Sequence, residues 1–281
     1  MSGELWRGDL DRGPLRKVRM KAGYSMFLDR RVPEQRLASE TGIYEDDVLS
    51  LATKLMPDHG VFVDVGANIG FYVCAVGAAV APTGGEVIAF EPVASNRRRL
   101  RKNVALNRLG GVVTVVPLAL GAERRRLVMR RVPIGRAANA VGENMFSAWD
   151  REDVDRHGWP SEEVDVVPLD EWSHSLRRCD VLKIDVEGAD LLVLRGGMQT
   201  INRFRPIIFA EFNPYWMRQI GQTLDDVRRF AQGAGYRVAR LFGDRFLPLP
   251  PTHADSDQEV PNYVLLPEEK SAALPDGLLS P

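Results

Sequence analysis

From residue 61 onward, short and nearly unbroken apolar runs alternate with longer segments of helical spacing. VFVDVG (61–66), EVIAFEP (86–92), VVTVVPLAL (112–120), VLKIDVEG (181–188) and PIIFAEFN (206–213) have the continuous apolar character of strands buried on both sides. SNRRRLRKNVALNRL (95–109), ADLLVLRGGMQTINRF (189–204) and TLDDVRRFAQGAGY (223–236) carry helical periodicity between or after them. Strands separated by helices predict a parallel sheet with helices on both faces. RVARLF (237–242) and NYVLLP (262–267) follow as strands that could close an antiparallel edge.

The pattern breaks in two places. Residues 121–172 hold the strand-like RRLVMRRVP and EEVDVVPLDEW around a polar middle, too long for a simple crossover. They predict an insertion before the fourth core strand, forming a lid or wall over a substrate site with Phe146, Trp149 and Trp159. Residues 1–57 predict an extension or cap packed on the core, with YSMFLD (24–29) as half of a hairpin and EDDVLSLATKLM (45–56) as an amphipathic helix. Residues 58–267 would then form the main domain, and 268–281 a flexible tail.

Composition narrows the class without naming it. Hydrophobic residues make up 44% and charged residues 27%, and the net charge of -1 favours neither nucleic acid nor an anionic membrane. Arg97, Arg98, Arg99, Arg101, Lys102 and Arg124–Arg126 predict solvated faces, since no aromatic residues interleave with them. Cys74 and Cys179 have no ligand-like spacing and predict buried free thiols. No apolar run suits a membrane span or a signal peptide, so a reducing cytoplasm is expected.

The chemistry concentrates where strands end. Gly66-Ala67-Asn68-Ile69-Gly70 is a tight strand-to-helix turn, but Phe71 and Tyr72 stand where a Walker loop has lysine and Ser/Thr. Asn68 occupies the middle glycine place of a dinucleotide turn, so an amino-acid zwitterion suits the turn better than a pyrophosphate. Asp64 would organise the loop or meet an ammonium through water, while loop and helix-start amides meet a carboxylate. Glu91, followed by Pro92, is placed to accept hydrogen bonds from ribose hydroxyls, a feature common to NAD and S-adenosylmethionine sites; its bland alternative is a helix cap. Lys183, Asp185 and Glu187 share one strand face, and Glu211 and Asn213 end the next strand. Either they line a cleft or they form a buried ion-pair network joining sheet and helix.

In order, FVDVGANIGFY, AFEP, NVALN, LALG, LKIDVEGAD, VLRGG and RPIIFAEF resemble FkbM-type methyltransferases over residues 41–240. The resemblance implies the α/β, Rossmann-like class I sheet of seven strands, the last antiparallel. It implies transfer of a methyl group from S-adenosylmethionine to a hydroxyl of a sugar or secondary metabolite. Asp64, Gly66, Ala67, Asn68, Gly70, Glu91 and Pro92 are then the cofactor-binding candidates, with Asp185, Glu187, Lys183 and His157 as catalytic ones. Asp185, Glu211 and Asn213 are similar to the layout in catechol O-methyltransferase, where two acids and an amide hold magnesium, so magnesium is a candidate second cofactor. The expected partner is a small-molecule or glycosyl acceptor, without nucleic acid or membrane, in a monomer or homo-oligomer. The competing functions are an NAD-linked oxidoreductase or epimerase, against which the missing Tyr-x-x-x-Lys pair counts, and a non-catalytic nucleoside-binding module.

Overall fold

The computed structural model describes residues 15–131, 144–145, 161–243, 245–248 and 262–271. Five consecutive apolar runs become neighbours in one parallel sheet. These are β3 (Val61–Val65), β4 (Glu86–Phe90), β5 (Val113–Val116), β10 (Val181–Ile184) and β11 (Ile207–Glu211), in the order β5-β4-β3-β10-β11. The chain winds outward through β4 and β5, then returns to the other side of β3 and winds outward again through β10 and β11. Strand order therefore reverses between β3 and β10, and the carboxyl ends there open a crevice suited to a ligand.

Beyond β11 the sheet continues as β14 (Asn262–Pro267), β12 (Tyr236–Phe242) and β13 (Arg245–Pro248). NYVLLP is reversed as expected, but it does not close an edge. It runs antiparallel to both β11 and β12, with Tyr263 to Leu266 almost fully buried. Its alternate residues reach both cores, Val264 and Leu266 one and Tyr263 and Leu265 the other. β13 then adds an eighth, outermost strand beside β12.

Alternate strand residues feed two cores. Phe62, Val87, Ala89, Val181 and Phe209 face one side, against α2 (Asp46–Lys54), α3 (Phe71–Val80) and α4 (Ala94–Leu106). Val63, Val65, Ile88, Phe90, Leu182, Ile184 and Ile208 face the other, against α5 (Leu169–Trp172), α6 (Asp190–Gly196), α7 (Met198–Phe204), α8 (Pro214–Gln219) and α9 (Leu224–Ala234). The segment 189–204, expected as one helix, is two, divided at Gly197. Gly196 forces the close contact beside that break: a Cβ there would lie 1.9 Å from the Gly121 carbonyl oxygen. The terminal segment also departs from expectation, because Glu268–Ser271 is a helical turn, secured by a Glu269–Arg205 ion pair at 2.8 Å.

The N-terminal residues join the first core. β1 (Leu15–Arg19) and β2 (Ser25–Asp29) form a hairpin, followed by α1 (Pro33–Thr41) and α2. Asn103 of α4 and Asn107 at its C-terminal cap bind it: the Phe27 amide donates to Asn103 Oδ1 and the Ser25 amide to Asn107 Oδ1, both at 2.8 Å.

VVTVVPLAL is also not one strand. Pro117, which has no amide hydrogen to give to a ladder, ends β5, and β6 (Ala119–Leu120) enters a second sheet. That sheet runs β6-β9-β7-β8, with β7 (Arg125–Arg131), β8 (Asn144–Met145) and β9 (Ser161–Val167). It packs Met129, Val164 and Val166 on Val93, beside the end of β4. Phe146, Trp149, His157 and Trp159 lie outside the described residues.

Candidate active site

At the reversal point, β3 ends in Gly66, whose φ of +86° suits a residue without a side chain. A Cβ at Gly66 would lie 2.0 Å from the Asp185 carbonyl oxygen, so the turn and the end of β10 touch through backbone. The Asp185 amide donates to the Val65 carbonyl at 3.0 Å and closes the same junction. Gly66 and Ala67 both donate to the Phe90 carbonyl at 3.0 Å, and Gly70 caps the start of α3. Asn68, at φ +47°, donates its amide to Glu91 Oε2 at 2.8 Å.

Glu91 is buried and its other oxygen accepts from the Val93 amide at 2.8 Å. Burial pushes its carboxyl up to about 8, while those two amides and Arg97 pull the other way. It thus caps the loop and orders the glycine turn at once; Pro92 follows it half-buried. Arg97 was expected on a solvated face, yet its guanidinium bonds the Glu91 and Pro92 carbonyls. Exposed Arg98, Arg101 and Lys102 fit that expectation. Glu162 of the second sheet accepts from the Ala94 amide at 3.1 Å, tying the insertion to this loop.

Asp64 is 1% exposed, and its Oδ1 has no hydrogen-bond partner among the described residues. Burial pushes its carboxyl up to about 6 against the pull of Lys183, its register neighbour on β10. Lys183 donates to Asp185 Oδ2 at 3.0 Å, and its ammonium lies 4.5 Å from the centre of the Tyr72 ring. Burial alone would lower the Lys183 pKa, but Asp185, Asp64 and Glu45 outweigh it and hold the ammonium charged.

Three more acids feel the charge of Asp185. Burial, reinforced by Asp185 and Asp190, pushes Glu187 up to about 8. Glu211 is raised by burial and by Asp185 and Glu187. Asp190 is buried, accepts from the Gly188 amide at 3.1 Å and is pushed up to about 7 by burial. The structure thus brings Lys183, Asp185, Glu187 and Glu211 into one electrostatic cluster.

Asn213 does not serve that cluster. Its Oδ1 accepts from the Tyr215 and Trp216 amides at 3.1 and 3.3 Å as the cap of α8. The proposed oxygen ligand is committed to a helix end, and no group of three or more His, Cys, Asp or Glu side chains among the described residues could hold a metal. The described residues thus give the magnesium triad no support.

Sequence reasoning missed Tyr44, Glu45, Tyr72 and Arg97. Tyr72 entered the sequence reading only as a residue that excludes a Walker loop, and Glu45 lies 27 residues from it, so no local spacing marked the pair.

A family model described as the methyltransferase FkbM domain matches residues 64–238, more than half of the chain. The chain belongs to the FkbM methyltransferase family. This FkbM chain is 31% identical over 175 residues to the hexuronic acid methyltransferase AglP of Haloferax volcanii, covering 60% of this chain and 64% of AglP. It is 29% identical over 181 residues to the AMB antimetabolite synthetase AmbE of Pseudomonas aeruginosa, covering 55% of this chain but 8% of AmbE. The matches thus span less than two thirds of either relative. The crystal structure of methyltransferase FkbM from Methylobacillus flagellatus aligns with TM-score 0.48 and 17% identity, over 76% of this chain and 47% of that one.

Proposed function

We propose that this methyltransferase uses S-adenosylmethionine and transfers its methyl group to a hydroxyl of a sugar or secondary metabolite. The observation that carries the donor assignment is the buried Asp64 Oδ1, without a partner among the described residues, beside the Gly66 turn where strand order reverses. A buried acceptor without a donor costs free energy, and a ligand ammonium, directly or through water, would satisfy it. Glu91 fits the ribose end, because each of its oxygens accepts one amide and retains a further lone pair. The donor brings an activated methyl group on its sulfonium, so the protein's task is chiefly to align an oxygen and accept its proton.

Asp185 is the residue we assign to the proton. Its Oδ2 is held by Lys183 and its side chain remains 27% exposed, which leaves Oδ1 for the acceptor hydroxyl. Lys183 keeps that carboxylate oriented. Glu187 and Glu211, both pushed upward by burial and by the charge of Asp185, are assigned as hydrogen-bond donors to the acceptor. The chain's similarity to AglP supports a sugar acceptor, and the small second sheet, tied to the Glu91 loop, supports a wall on that side.

Calorimetry with S-adenosylhomocysteine and with NAD tests the donor. Only the former should bind, and Glu91→Ala should weaken it about 30- to 1,000-fold through loss of the acceptors for two ribose hydroxyls. Tighter binding of NAD would reject the assignment. Transfer of a labelled methyl group to a panel of methyl glycosides tests the acceptor class, and Asp185→Asn should lower turnover about 100-fold or more.

A further inference from the structure

Tyr44 and Glu45 lie upstream of the stretch matched to the family, residues 64–238, yet both grip the start of α3. The Tyr44 ring lies parallel to Phe71 with centroids 3.7 Å apart, and edge-on to Tyr72 at 6.4 Å. The Tyr72 hydroxyl donates to Glu45 Oε2 at 2.6 Å. Glu45 itself stands at φ +42°, a conformation that costs free energy in a residue with a side chain and persists only when its surroundings enforce it. Phe71 and Tyr72 are the first two residues after Gly70, so this grip acts directly on the helix that the glycine turn launches. The face of the same Tyr72 ring seats the Lys183 ammonium, which holds Asp185. Asp185 in turn touches Gly66 through its carbonyl, completing a ring of contacts around the crevice.

We propose that Glu45 and Tyr72 are positioning residues: the Glu45–Tyr72 hydrogen bond fixes the first turn of α3 and the seat of Lys183, and so holds the glycine turn and Asp185 in their binding geometry. This rests on the assignment of the glycine turn as the donor site. A buried tyrosine hydroxyl that merely found an acceptor would contribute to folding alone. A positioning role has a different signature, because the two residues act on donor binding through one shared bond, and their effects must couple.

The test is a double-mutant cycle on S-adenosylhomocysteine affinity, measured by calorimetry, with thermal midpoints recorded for every variant. Tyr72→Phe keeps the ring under Lys183 and removes only the hydroxyl; Glu45→Ala removes the acceptor. Each should weaken binding about tenfold, and the double variant should lose little more than either single one. Glu45→Gln keeps an acceptor oxygen and should restore most of the affinity. Unchanged affinity in both single variants, whatever their midpoints, overturns the proposal, and so do losses that multiply. If Glu45→Ala fails to fold, Tyr72→Phe against the unaltered chain still decides it. No binding by the unaltered chain rejects the donor site itself, an outcome distinct from a variant series that binds normally.

Discussion

At Gly66 a single hydrogen stands where a side chain would strike backbone. A Cβ placed 2.0 Å from the Asp185 carbonyl oxygen cannot be relieved by rotating a neighbour, and φ +86° adds strain. Gly66→Ala should therefore destabilise the fold by about 3 kcal/mol or more, as read from urea unfolding. A midpoint within error of the parent would show that β10 can yield there. Gly66, Asp64 and Glu91 were legible in the sequence because turn chemistry needs particular residues at short spacing. Glu45, Tyr72 and Arg97 were not, because what distinguishes them is a partner supplied by the fold. Asn213 was misread for a related reason. An amide after a strand suits a metal and a helix cap equally, and the Pro214 that follows it, at the first helical position, decides for the cap.

Helices and strands were recognised by their apolar periods, and their breaks by residues that periods do not weigh. Pro117 sends one apolar run into two sheets, and the Gly196–Gly197 pair divides one helical run where the chain must pass against Gly121. The motif NVALN gains its physical meaning at this scale. Asn103 is fully buried, accepts from Phe27 of β2 and donates to the Ile69 carbonyl at 2.9 Å, so one amide joins hairpin, helix and glycine turn. Asn103→Ala leaves a buried donor and a buried acceptor unpaired, and should cost about 2 to 4 kcal/mol in chemical denaturation. A loss under 1 kcal/mol would mean that water replaces the side chain. At α8, Asn213→Ala should cost about 1 kcal/mol and Asn213→Asp almost nothing, since aspartate caps equally well. The same melts run with magnesium or with a chelator should coincide; a midpoint that magnesium raises more in Asn213→Asp would restore the metal site.

Over the whole molecule, the strand order converges the ends of β3, β4, β10 and β11 on one crevice and gathers acids there. The parallel core was legible because unbroken apolar strands need cover on both faces, whereas the inner place of β14 depends on pairing that no single strand specifies. Such a concentration of buried carboxyls has a consequence for stability. Glu91 and Glu187 are pushed up to about 8, Asp190 to about 7 and Asp64 to about 6, each chiefly by burial. In the unfolded chain these groups release their protons near their ordinary values of 3.8 to 4.5. Between those values and about 8 the folded protein therefore holds more protons than the unfolded chain, and stability must fall as pH rises through that window. Below it, Asp29 and Glu269 act oppositely: Asp29 is lowered by Arg31 despite burial, Glu269 is pulled to about 2 by its bonds to Arg205, and protonating them removes stability. The thermal midpoint of the ligand-free protein should accordingly peak near about pH 4 and drop by about 5 °C or more toward pH 9. Glu91→Gln, which cannot ionise, should flatten the alkaline descent. A midpoint that stays level or climbs between pH 6 and 9 would show that these carboxyls are ionised in the fold, and Glu187 would then return as a rival to Asp185 for the proton.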